Sequence, residues 1–378
     1  MAMNGHPAGS AQTRARVPAA LCLLVSSGIL LAGLLPFRGP HNGVAWLHNQ
    51  NGVRLSGHST LWSSGPFPLA GSESGESCSI ELWLQPGLPR DSNVILSFSL
   101  PTNPLGLTLR QYRSLLILQT GTPGSLLPAS TISTDGAFHQ GTPVFLTLTS
   151  GPLQTATYIN GSLARSFPGY HFSDDCAGRL VVGTSPVMDE GWRGQLRGLA
   201  LYGQSLTPDQ IRRHYKTWTQ QGRPDLAGDE GAVALYLFNE GSGNVVHNEV
   251  AGGIDLYIPP RYALIHQIFL RPFWQEYRAR WSYVKDIAIN IVGFMPLGFF
   301  FYAYWSSVRP IKHPALLTTA LGLAVSLTIE VLQSHIPTRD SGTTDLITNT
   351  LGTFLGLRLY SWKVARGLLA RIYLAKWP

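Results

Sequence analysis

Three couples of one carboxylic acid and one amide interrupt the apolar C-terminal part of the sequence: Asp286 with Asn290, Glu330 with Gln333, and Asp345 with Asn349. The members of each couple are three or four residues apart, so they share one face of a helix. Ionisable groups at membrane depth are costly, and they therefore pair with one another or line a site. The couples, with Arg339 in a loop between the last two, predict one polar cluster.

Such a cluster could serve one of three purposes. It could bind a polar headgroup or an envelope precursor, or it could only hold the helices together through interhelical hydrogen bonds. It could also act on a lipid-linked precursor, with Glu330, Asp345 and Arg339 as the reacting groups. The residues assign no catalytic role by themselves, and a protein without enzymatic activity is favoured over an enzyme.

The polar middle of the chain holds a second set of candidates. Trp192 could stack on a sugar or be buried in a core. Asp174 and Asp175 could reach a calcium ion or form solvated loop surface. Cys78 and Cys176 could form a disulfide outside the cytoplasm, or they could remain buried thiols. No spacing of cysteine and histidine typical of a metal site occurs, so we assign no metal ligands and no other cofactor.

Composition and spacing argue against two functional classes. The net charge is +7, but only 13% of residues are charged, against roughly 25% in soluble proteins, and the basic residues are scattered or flank apolar segments. We therefore expect no nucleic-acid partner. Glu76 and Glu81 lie five residues apart, on opposite faces of a strand, and so do not form the acid pair of a glycosidase.

Four apolar stretches approach the roughly 20 residues that a membrane-spanning helix needs, at residues 17–37, 287–305, 315–332 and 346–360. The first could be a cleaved signal peptide, but it lacks a clean cleavage site, and a retained helix is favoured. The segment from Tyr262 to Tyr283 predicts an interfacial helix that leads into the membrane.

Basic residues near the span ends predict the orientation. Four spans bring both termini to one side, and the excess of arginine and lysine there makes that side cytoplasmic. The expected regions are a cytoplasmic N-terminus over 1–16, a helix over 17–37, an external β domain over 42–260, a region with three membrane helices over 261–362, and a basic cytoplasmic tail over 363–378.

The external domain is predicted to be all-β. Short alternating or apolar runs separated by turn residues predict strands at 79–84, 93–99, 114–119, 144–149, 155–159, 179–182, 198–202, 232–239 and 254–258. One helix is predicted over Pro208–Trp218, with Thr207 as its N-cap. Asn160-Gly161 predicts a type I′ turn.

Several phrases in this domain resemble the laminin-G-like, concanavalin A-like jelly roll: SIELWLQP at 79–86, YING at 158–161, LVVG at 180–183, GQLRGLALY at 194–202 and LTPDQIRRHY at 206–215. The resemblance implies a ligand-binding sandwich, often for sugar, or a purely structural one. The phrase LYLFNEGSG at 235–243 resembles a strand and turn from the start of such domains. Its late position implies a permuted domain or a first strand that is supplied late.

The membrane part resembles the VanZ-like family. The phrases are Asp286 followed by NIVGFMPLGF at 290–299, EVLQ at 330–333, Arg339, and DLITNTLGTFLG at 345–356. Residues 35–51 also resemble the region after the first helix of that family, so the jelly roll is inserted between helices one and two. The expected architecture is an all-β jelly-roll sandwich plus a transmembrane bundle of about four α-helices.

The resemblance implies a role at the bacterial cell envelope, including teicoplanin tolerance, but no reaction. The expected protein is a multi-pass component of the bacterial cytoplasmic membrane with an external domain that binds carbohydrate or protein. Its expected partners are membrane lipid and an envelope polysaccharide or peptidoglycan precursor. The alternatives are a membrane enzyme acting on a lipid-linked precursor and a purely structural anchor.

Overall fold

The computed structural model describes residues 9–68, 77–87, 92–226, 231–276 and 281–362. It divides into two compact units, one formed by Gly39–Gln267 and the other by the chain up to Arg38 and from Ile268 onward. We call them the β unit and the helical unit. The predicted basic tail over 363–378, residues 1–8 of the predicted cytoplasmic N-terminus and Glu76 lie outside the described residues.

The β unit contains sixteen strands and one α-helix among its described residues. The strands are β1 (Ala45–Trp46), β2 (Val53–Ser56), β3 (Leu61–Ser63), β4 (Cys78–Pro86), β5 (Ser92–Ser99), β6 (Leu107–Tyr112), β7 (Leu115–Gly121), β8 (Pro128–Thr134), β9 (Val144–Ser150), β10 (Gln154–Ile159), β11 (Ser162–Pro168), β12 (Arg179–Val182), β13 (Arg193–Tyr202), β14 (Ala232–Tyr236), β15 (Val245–Val246) and β16 (Leu256–Tyr257). Every strand predicted from the sequence is present at least in part.

These strands form a sandwich of two antiparallel sheets. The first sheet has the order β1-β2-β13-β4-β9-β10-β11, with β14 also paired to β13, and the second has the order β15-β16-β3-β12-β5-β6-β7-β8. The strands that follow the helix in sequence therefore enter both sheets, β14 in the first and β15 and β16 in the second. The late strand implied by the phrase at 235–243 corresponds to β14 and the residues after it.

Strand β4 shows why the sandwich has a third layer. Ile80, Leu82 and Leu84 alternate along it, and all three lie in the core cluster shared by the two sheets. The residues between them face away from that core, and Trp83 joins a second apolar cluster that includes Trp218 of helix α2 (Pro208–Gln221). Helix α2 thus covers the outer face of the first sheet.

Two local predictions in the β unit are confirmed. Helix α2 begins at a capping box, in which Thr207 accepts a hydrogen bond from Gln210 N–H and the Gln210 side chain accepts one from Thr207 N–H. Asn160 and Gly161 both have positive φ, at 52° and 76°, as a type I′ turn between β10 and β11 requires.

The helical unit contains α1 (Gly9–Leu34), α3 (Phe273–Glu276), α4 (Trp281–Ala303), α5 (Pro314–Gln333) and α6 (Thr343–Ser361), and a π-helical turn over Tyr304–Val308 follows α4. Two described stretches are long and apolar enough to cross a membrane, Tyr283–Ser306 and Pro314–Gln333, and Pro18–Leu34 is a shorter apolar stretch. Helix α6 fails that test because polar residues such as Asp345 and Asn349 lie within it.

The helical unit buries small and polar side chains. The buried face of α5 repeats every three or four residues through Thr318, Gly322, Ser326, Glu330 and Gln333, with Ile329 beside them. Five of its six leucines point the other way and are exposed. Polar and small residues therefore meet between the helices, while apolar residues cover the outside.

Glycines let α4 and α6 approach closely. A Cβ added at Gly352 would lie 2.3 Å from the Ile291 carbonyl oxygen, and one added at Gly356 would lie 2.0 Å from that of Met295. The glycine pair at 352 and 356 thus packs directly against the α4 backbone, which explains its GxxxG spacing. Among the described residues, none lies within 4 Å of a Cβ added at Gly293, so that glycine is not needed for this approach.

The predicted interfacial helix from Tyr262 to Tyr283 is wrong over its first half. The chain has no helix between Tyr262 and Pro272, and the single turn α3 is the only described helix between Tyr262 and the start of α4. The backbone of Arg271 instead pairs with a distant loop, since its N–H donates to Ser341 O and its carbonyl accepts from Thr343 N–H, both at 2.9 Å. Pro272 also disfavours helical backbone at the residue before it. Arg278 and Arg280 of this segment lie outside the described residues.

Candidate functional site

A cavity of about 570 Å³ opens where the end of α1, the start of α4, the end of α5 and the start of α6 meet. Five of the seven residues predicted to form a polar cluster line it: Asp286, Asn290, Gln333, Arg339 and Asp345. The helices alternate in direction, so residues far apart in sequence reach the same end of the bundle. Glu330 and Asn349 are buried away from the cavity surface.

Hydrogen bonds between different helices fix the polar side chains of the wall. The Asn290 amide of α4 donates to the Asp345 carboxylate of α6 at 2.7 Å. The Gln333 amide of α5 donates to the Gly33 carbonyl of α1 at 2.7 Å. The Arg339 guanidinium donates to the Leu35 carbonyl. These contacts join α4 to α6 and α5 to α1, and they join the loop after α5 to the end of α1.

Glu330 performs a structural task next to the cavity. It is 1% exposed, and its carboxylate accepts the N–H of Gly342 at 2.8 Å, at the N-cap of α6. Glu276 of α3 accepts the N–H of Thr344 at 3.1 Å. Two carboxylates therefore cap α6 from outside, where a helix N-terminus favours negative charge. A Cβ at position 342 would lie 1.6 Å from the Glu276 carboxylate, so a larger residue there would displace that carboxylate from its present position.

Asn349 lies between α5 and α6. Its amide donates to the Ser326 hydroxyl at 3.0 Å, while its side-chain oxygen accepts no hydrogen bond from the described residues. The couples at 330/333 and 345/349 thus divide their roles, because one member of each lines the cavity and the other holds the helices together.

The cavity also contains polar residues that the sequence did not single out: Arg271, Glu276, Tyr283, Thr338, Asp340 and Thr344. Arg271 is only 5% exposed, and one of its terminal nitrogens lies 3.5 Å from an Asp340 carboxylate oxygen. Its Nε–H has no acceptor among the described residues. In the sequence, Arg271 and Glu276 come just before the second apolar stretch, on the same predicted side of the membrane as Arg339. That position is the one sequence signal that could have suggested them.

The charges of the wall are mixed. Carboxylates of Glu276, Asp286, Asp340 and Asp345 face a space that they share with the guanidinium groups of Arg271 and Arg339. Such a wall can accept hydrogen bonds from an ammonium or hydroxyl group and can donate to an anionic oxygen. The arrangement suits a ligand that carries both kinds of group.

The candidates in the β unit are not brought together in one site. Trp192 is 1% exposed in the sandwich core, where its indole N–H donates to the Gln111 side-chain oxygen at 2.6 Å. It cannot stack on a sugar there, so its assignment as a ligand contact is corrected to the buried alternative. Cys78 of β4 and Cys176 are joined by a disulfide.

Asp174 and Asp175 lie in a single 3₁₀ turn, Ser173–Asp175, with Asp174 exposed and Asp175 half-buried. Burial, with a smaller contribution from the Asp174 charge, raises the pKa of Asp175 to about 6. Within the described parts of the chain, no group of three histidine, cysteine, aspartate or glutamate side chains could hold a metal ion. Calcium binding by the aspartates stays a prediction.

Comparison with protein families identifies both regions. The VanZ/LLP1 family model matches residues 232–365, and Laminin_G_3, a model of the concanavalin A-like lectin/glucanases superfamily, matches residues 58–212. The chain therefore combines a VanZ-like region with a concanavalin A-like lectin region, which confirms the two family resemblances seen in the sequence motifs. The VanZ/LLP1 match begins at β14, so it includes the strands that complete the sandwich.

Solved structures resemble the chain only distantly. A protein from Bacteroides ovatus to which carbohydrate binding has been ascribed is 15% identical, with 58% of this chain and 62% of its own covered and a TM-score of 0.40. The binding domain of botulinum neurotoxin DC, solved with rat synaptotagmin II, is 13% identical, with 47% and 45% covered and a TM-score of 0.36. The chain thus spans less than two thirds of either protein, and such scores carry no functional argument. No curated protein matches the sequence.

Proposed function

We propose that the protein is a bacterial membrane protein without enzymatic activity, whose helical unit binds a zwitterionic polar headgroup of a lipid or envelope precursor. The observation that carries this proposal is the cavity of about 570 Å³ at the common end of four helices, with both carboxylates and guanidinium groups in its wall. Polar groups that converge on a cavity fix the orientation of a small-molecule ligand and make its binding specific.

The distribution of side chains supports insertion in a membrane. Helices α4 and α5 contain the two sufficiently long apolar stretches, and leucines on the outside of α5 are exposed whereas its buried face is small and polar. That distribution suits lipid as the surrounding solvent. We propose that α1 and α6 also cross the membrane, that both termini are cytoplasmic, and that the β unit is external at the bacterial cytoplasmic membrane.

The charges of the cavity favour a ligand with an ammonium and a phosphate. The ammonium would meet the carboxylates of Asp286 and Asp345, and the phosphate would accept a hydrogen bond from the buried Arg271. A simple anion would instead meet four acidic residues against two arginines in the same wall.

A role in binding is favoured over catalysis because Glu330 is already engaged. A general acid or base must reach the reacting atom, whereas the Glu330 carboxylate is buried against the backbone at the start of α6. In the alternative enzyme, Glu330, Asp345 and Arg339 would be the reacting groups, and the Glu330 carboxylate is not accessible to a substrate.

The β unit would supply recognition outside the membrane. Its match to the lectin superfamily supports binding of an envelope carbohydrate. Together the two units would act at the cell envelope, and tolerance to a glycopeptide such as teicoplanin is the proposed physiological outcome. Competition for, or masking of, an envelope component would achieve such tolerance without any reaction.

The test is lipid retention by the intact protein. The full chain is purified in mild detergent and its bound lipids are measured by native mass spectrometry after exchange into nanodiscs that contain phosphatidylethanolamine and phosphatidylglycerol. We expect retention of the zwitterionic lipid and a loss of about tenfold in the double variant Asp286→Asn/Asp345→Asn, because each lost charge-assisted hydrogen bond contributes about 1 kcal/mol or more.

Asp209→Asn, on the exposed side of α2, is the matched control because it removes one carboxylate from the β unit. Equal retention of both lipids by the intact protein would refute a zwitterionic site. Unchanged retention in the double variant would assign the cavity a structural role. Turnover of a lipid-linked precursor by the intact protein, lost in Glu330→Gln, would establish the enzyme instead.

A further inference from the structure

A second cavity, of about 330 Å³, lies on the β unit where β16 pairs with β3 near the edge of the second sheet. Trp62, Ser64, Val245, Asp255 and Tyr257 line it, with the edge of Leu256. Four of these six residues follow position 212, where the match to the lectin superfamily ends. The cavity therefore depends on the strands that this chain supplies late.

Two aromatic residues form one wall. Trp62 and Tyr257 are direct cross-strand partners, with ring centroids 6.4 Å apart and ring planes inclined by 45°. Leu61 and Leu256, their neighbours along the strands, are buried in the core, so the alternation of a strand sends the two rings to the opposite face. Both rings are half-buried, which leaves part of each available to a ligand.

Both rings carry a polar group that has no hydrogen-bond partner in the described part of the chain. No described residue accepts a hydrogen bond from the Trp62 indole N–H or bonds to the Tyr257 hydroxyl. Buried tryptophan and tyrosine usually find such a partner within the protein. At this surface, the two groups add directional hydrogen bonding to an aromatic platform.

A carboxylate lies beside the aromatic wall in a fixed orientation. The Asp255 side chain is 39% exposed, accepts the Asn248 N–H at 2.9 Å and lies 3.3 Å from His247 Nδ1. The Asp255 carbonyl accepts the Ser64 N–H at 2.8 Å, which ties this loop to the end of β3. The acceptor is therefore held in place before any ligand arrives.

We propose that this cavity binds a neutral or amine-bearing saccharide unit, stacked on Trp62 and Tyr257 with one hydroxyl or amine held by Asp255. The aromatic rings match the apolar face of a sugar ring, and the carboxylate and unused donors match its hydroxyl groups. Asp255 disfavours an acidic sugar by charge repulsion, and it disfavours insertion of this wall into lipid, because a carboxylate is costly there.

The inference rests on the part of the proposed function that assigns carbohydrate binding to the β unit, and it adds the residues and the ligand class. It is independent of the cavity in the helical unit. Of the strands around it, β15 and β16 belong to the segment that the VanZ/LLP1 model matches and β3 belongs to the Laminin_G_3 match, so saccharide binding here would involve both matched regions.

The experiment uses the full chain in detergent micelles on a glycan array with neutral, amino and acidic oligosaccharides. The tightest glycan is then titrated by calorimetry against Trp62→Ala, Tyr257→Ala and Asp255→Asn. We expect each variant to weaken binding at least about tenfold, since aromatic contacts and charge-assisted hydrogen bonds each contribute about 1 kcal/mol or more. Tyr112→Ala is the control, because Tyr112 is an exposed tyrosine on β6 of the same sheet.

Each outcome of the titrations either supports or overturns the proposed saccharide site. Loss of binding in the three variants, with normal binding by Tyr112→Ala and unchanged unfolding temperatures, supports the site. If Trp62→Ala unfolds the β unit, Tyr257→Phe and Asp255→Asn still test the saccharide site. They preserve the shape of the side chain and remove only the hydroxyl or the charge. Glycan binding that persists in Asp255→Asn and Tyr257→Ala would overturn this site and leave the proposed function standing.

Two further results are informative. An array without any bound glycan would overturn both this inference and the carbohydrate part of the proposed function. Binding of the intact protein to plain phosphatidylcholine vesicles that disappears in Trp62→Ala, with no glycan bound, would identify the aromatic wall as a membrane contact instead.

Discussion

The β unit and the helical unit differ in what packs together in their interiors. In the β unit, the largest buried cluster consists of apolar residues from both sheets, and charged residues lie mostly outside. In the helical unit, threonine, serine, glycine and carboxamide residues lie between the helices, and five of the six leucines of α5 are exposed. This is the difference expected if water surrounds the sandwich and, as proposed, lipid surrounds the helices.

A buried glutamate in each unit shows how the two interiors satisfy a charge. Glu81 and Glu330 are both 1% exposed. The Glu81 carboxylate accepts from the Tyr202 hydroxyl at 2.9 Å and lies 3.1 Å from His214 Nδ1, so side chains of β4, β13 and α2 meet there. Glu330 instead accepts a backbone N–H at the start of α6. One glutamate attaches a helix to a sheet, and the other begins a helix.

The largest effect is expected from removing the carboxylate in the β unit. Glu81→Ala should lower the free energy of unfolding by about 3–5 kcal/mol, because breaking a buried pair leaves its partner in a place that water does not reach. Glu81→Gln keeps the shape and one acceptor, and should cost clearly less. Denaturant unfolding of the purified chain, followed by tryptophan fluorescence, measures the difference.

Glu249→Ala is the control for that measurement, since Glu249 is exposed in the same unit and should change stability by no more than about 0.5 kcal/mol. If Glu81→Ala were as mild as this control, the buried cluster of Glu81, Tyr202 and His214 would not be what holds α2 on the sheet.

The sequence predicted those parts of the fold in which apolar residues follow a regular period. Strand β4 alternates, and helix α2 carries its capping signal at Thr207, so both were predicted close to their observed bounds. Strand β11 was missed because its residues are exposed almost throughout, which leaves no alternation to detect. Its place depends on hydrogen bonds to β10, which connect it through the turn at Asn160.

The site was only partly predictable because its geometry depends on contacts between residues that are far apart in the sequence. Helical spacing placed Asp286 with Asn290 and Asp345 with Asn349, but no local pattern shows that Asn290 meets Asp345. Glu330 has the same helical spacing to Gln333, yet its contact is the backbone of Gly342, which is set by the loop between α5 and α6. Arg271 enters the wall through backbone pairing with that loop.

The next prediction compares one exposed leucine of each unit, each replaced by aspartate, and its expected free-energy change is smaller than that of Glu81→Ala. Leu323→Asp, near the middle of α5, should raise the free energy of membrane insertion by about 3 kcal/mol, because a carboxylate would face lipid. Leu163→Asp, on the exposed strand β11, should change stability by no more than about 0.5 kcal/mol, because it faces water.

The amount of chain recovered in the membrane fraction, with protease protection of the loops, measures insertion of the Leu323 variant, and thermal unfolding measures the Leu163 variant. If Leu323→Asp left membrane insertion as unchanged as Leu163→Asp leaves thermal stability, the proposed difference in surroundings between the two units would be contradicted. The outward leucines of α5 would then face protein or water.

The smallest expected change in stability comes from Asp175. Its titration should make the stability of the β unit depend on pH. Burial, and then the charge of Asp174, raises the pKa of Asp175 from 3.8 to about 6 in the folded chain. The folded state thus binds more protons than the unfolded chain between about pH 4 and pH 6, so stability is highest below this window and falls as the pH rises through it.

Asp175→Asn should remove that fall, and Asp174→Asn should reduce it, since it removes only the smaller cause. Urea unfolding of the intact chain at pH 4.5 and pH 7, with the tryptophan signal of the β unit as the readout, measures the difference between the two conditions for each variant. The effect should be well below that of Glu81→Ala because Asp175 is only half-buried and water screens its charge. A fall of equal size in the Asp175→Asn variant would assign the pH dependence to another group.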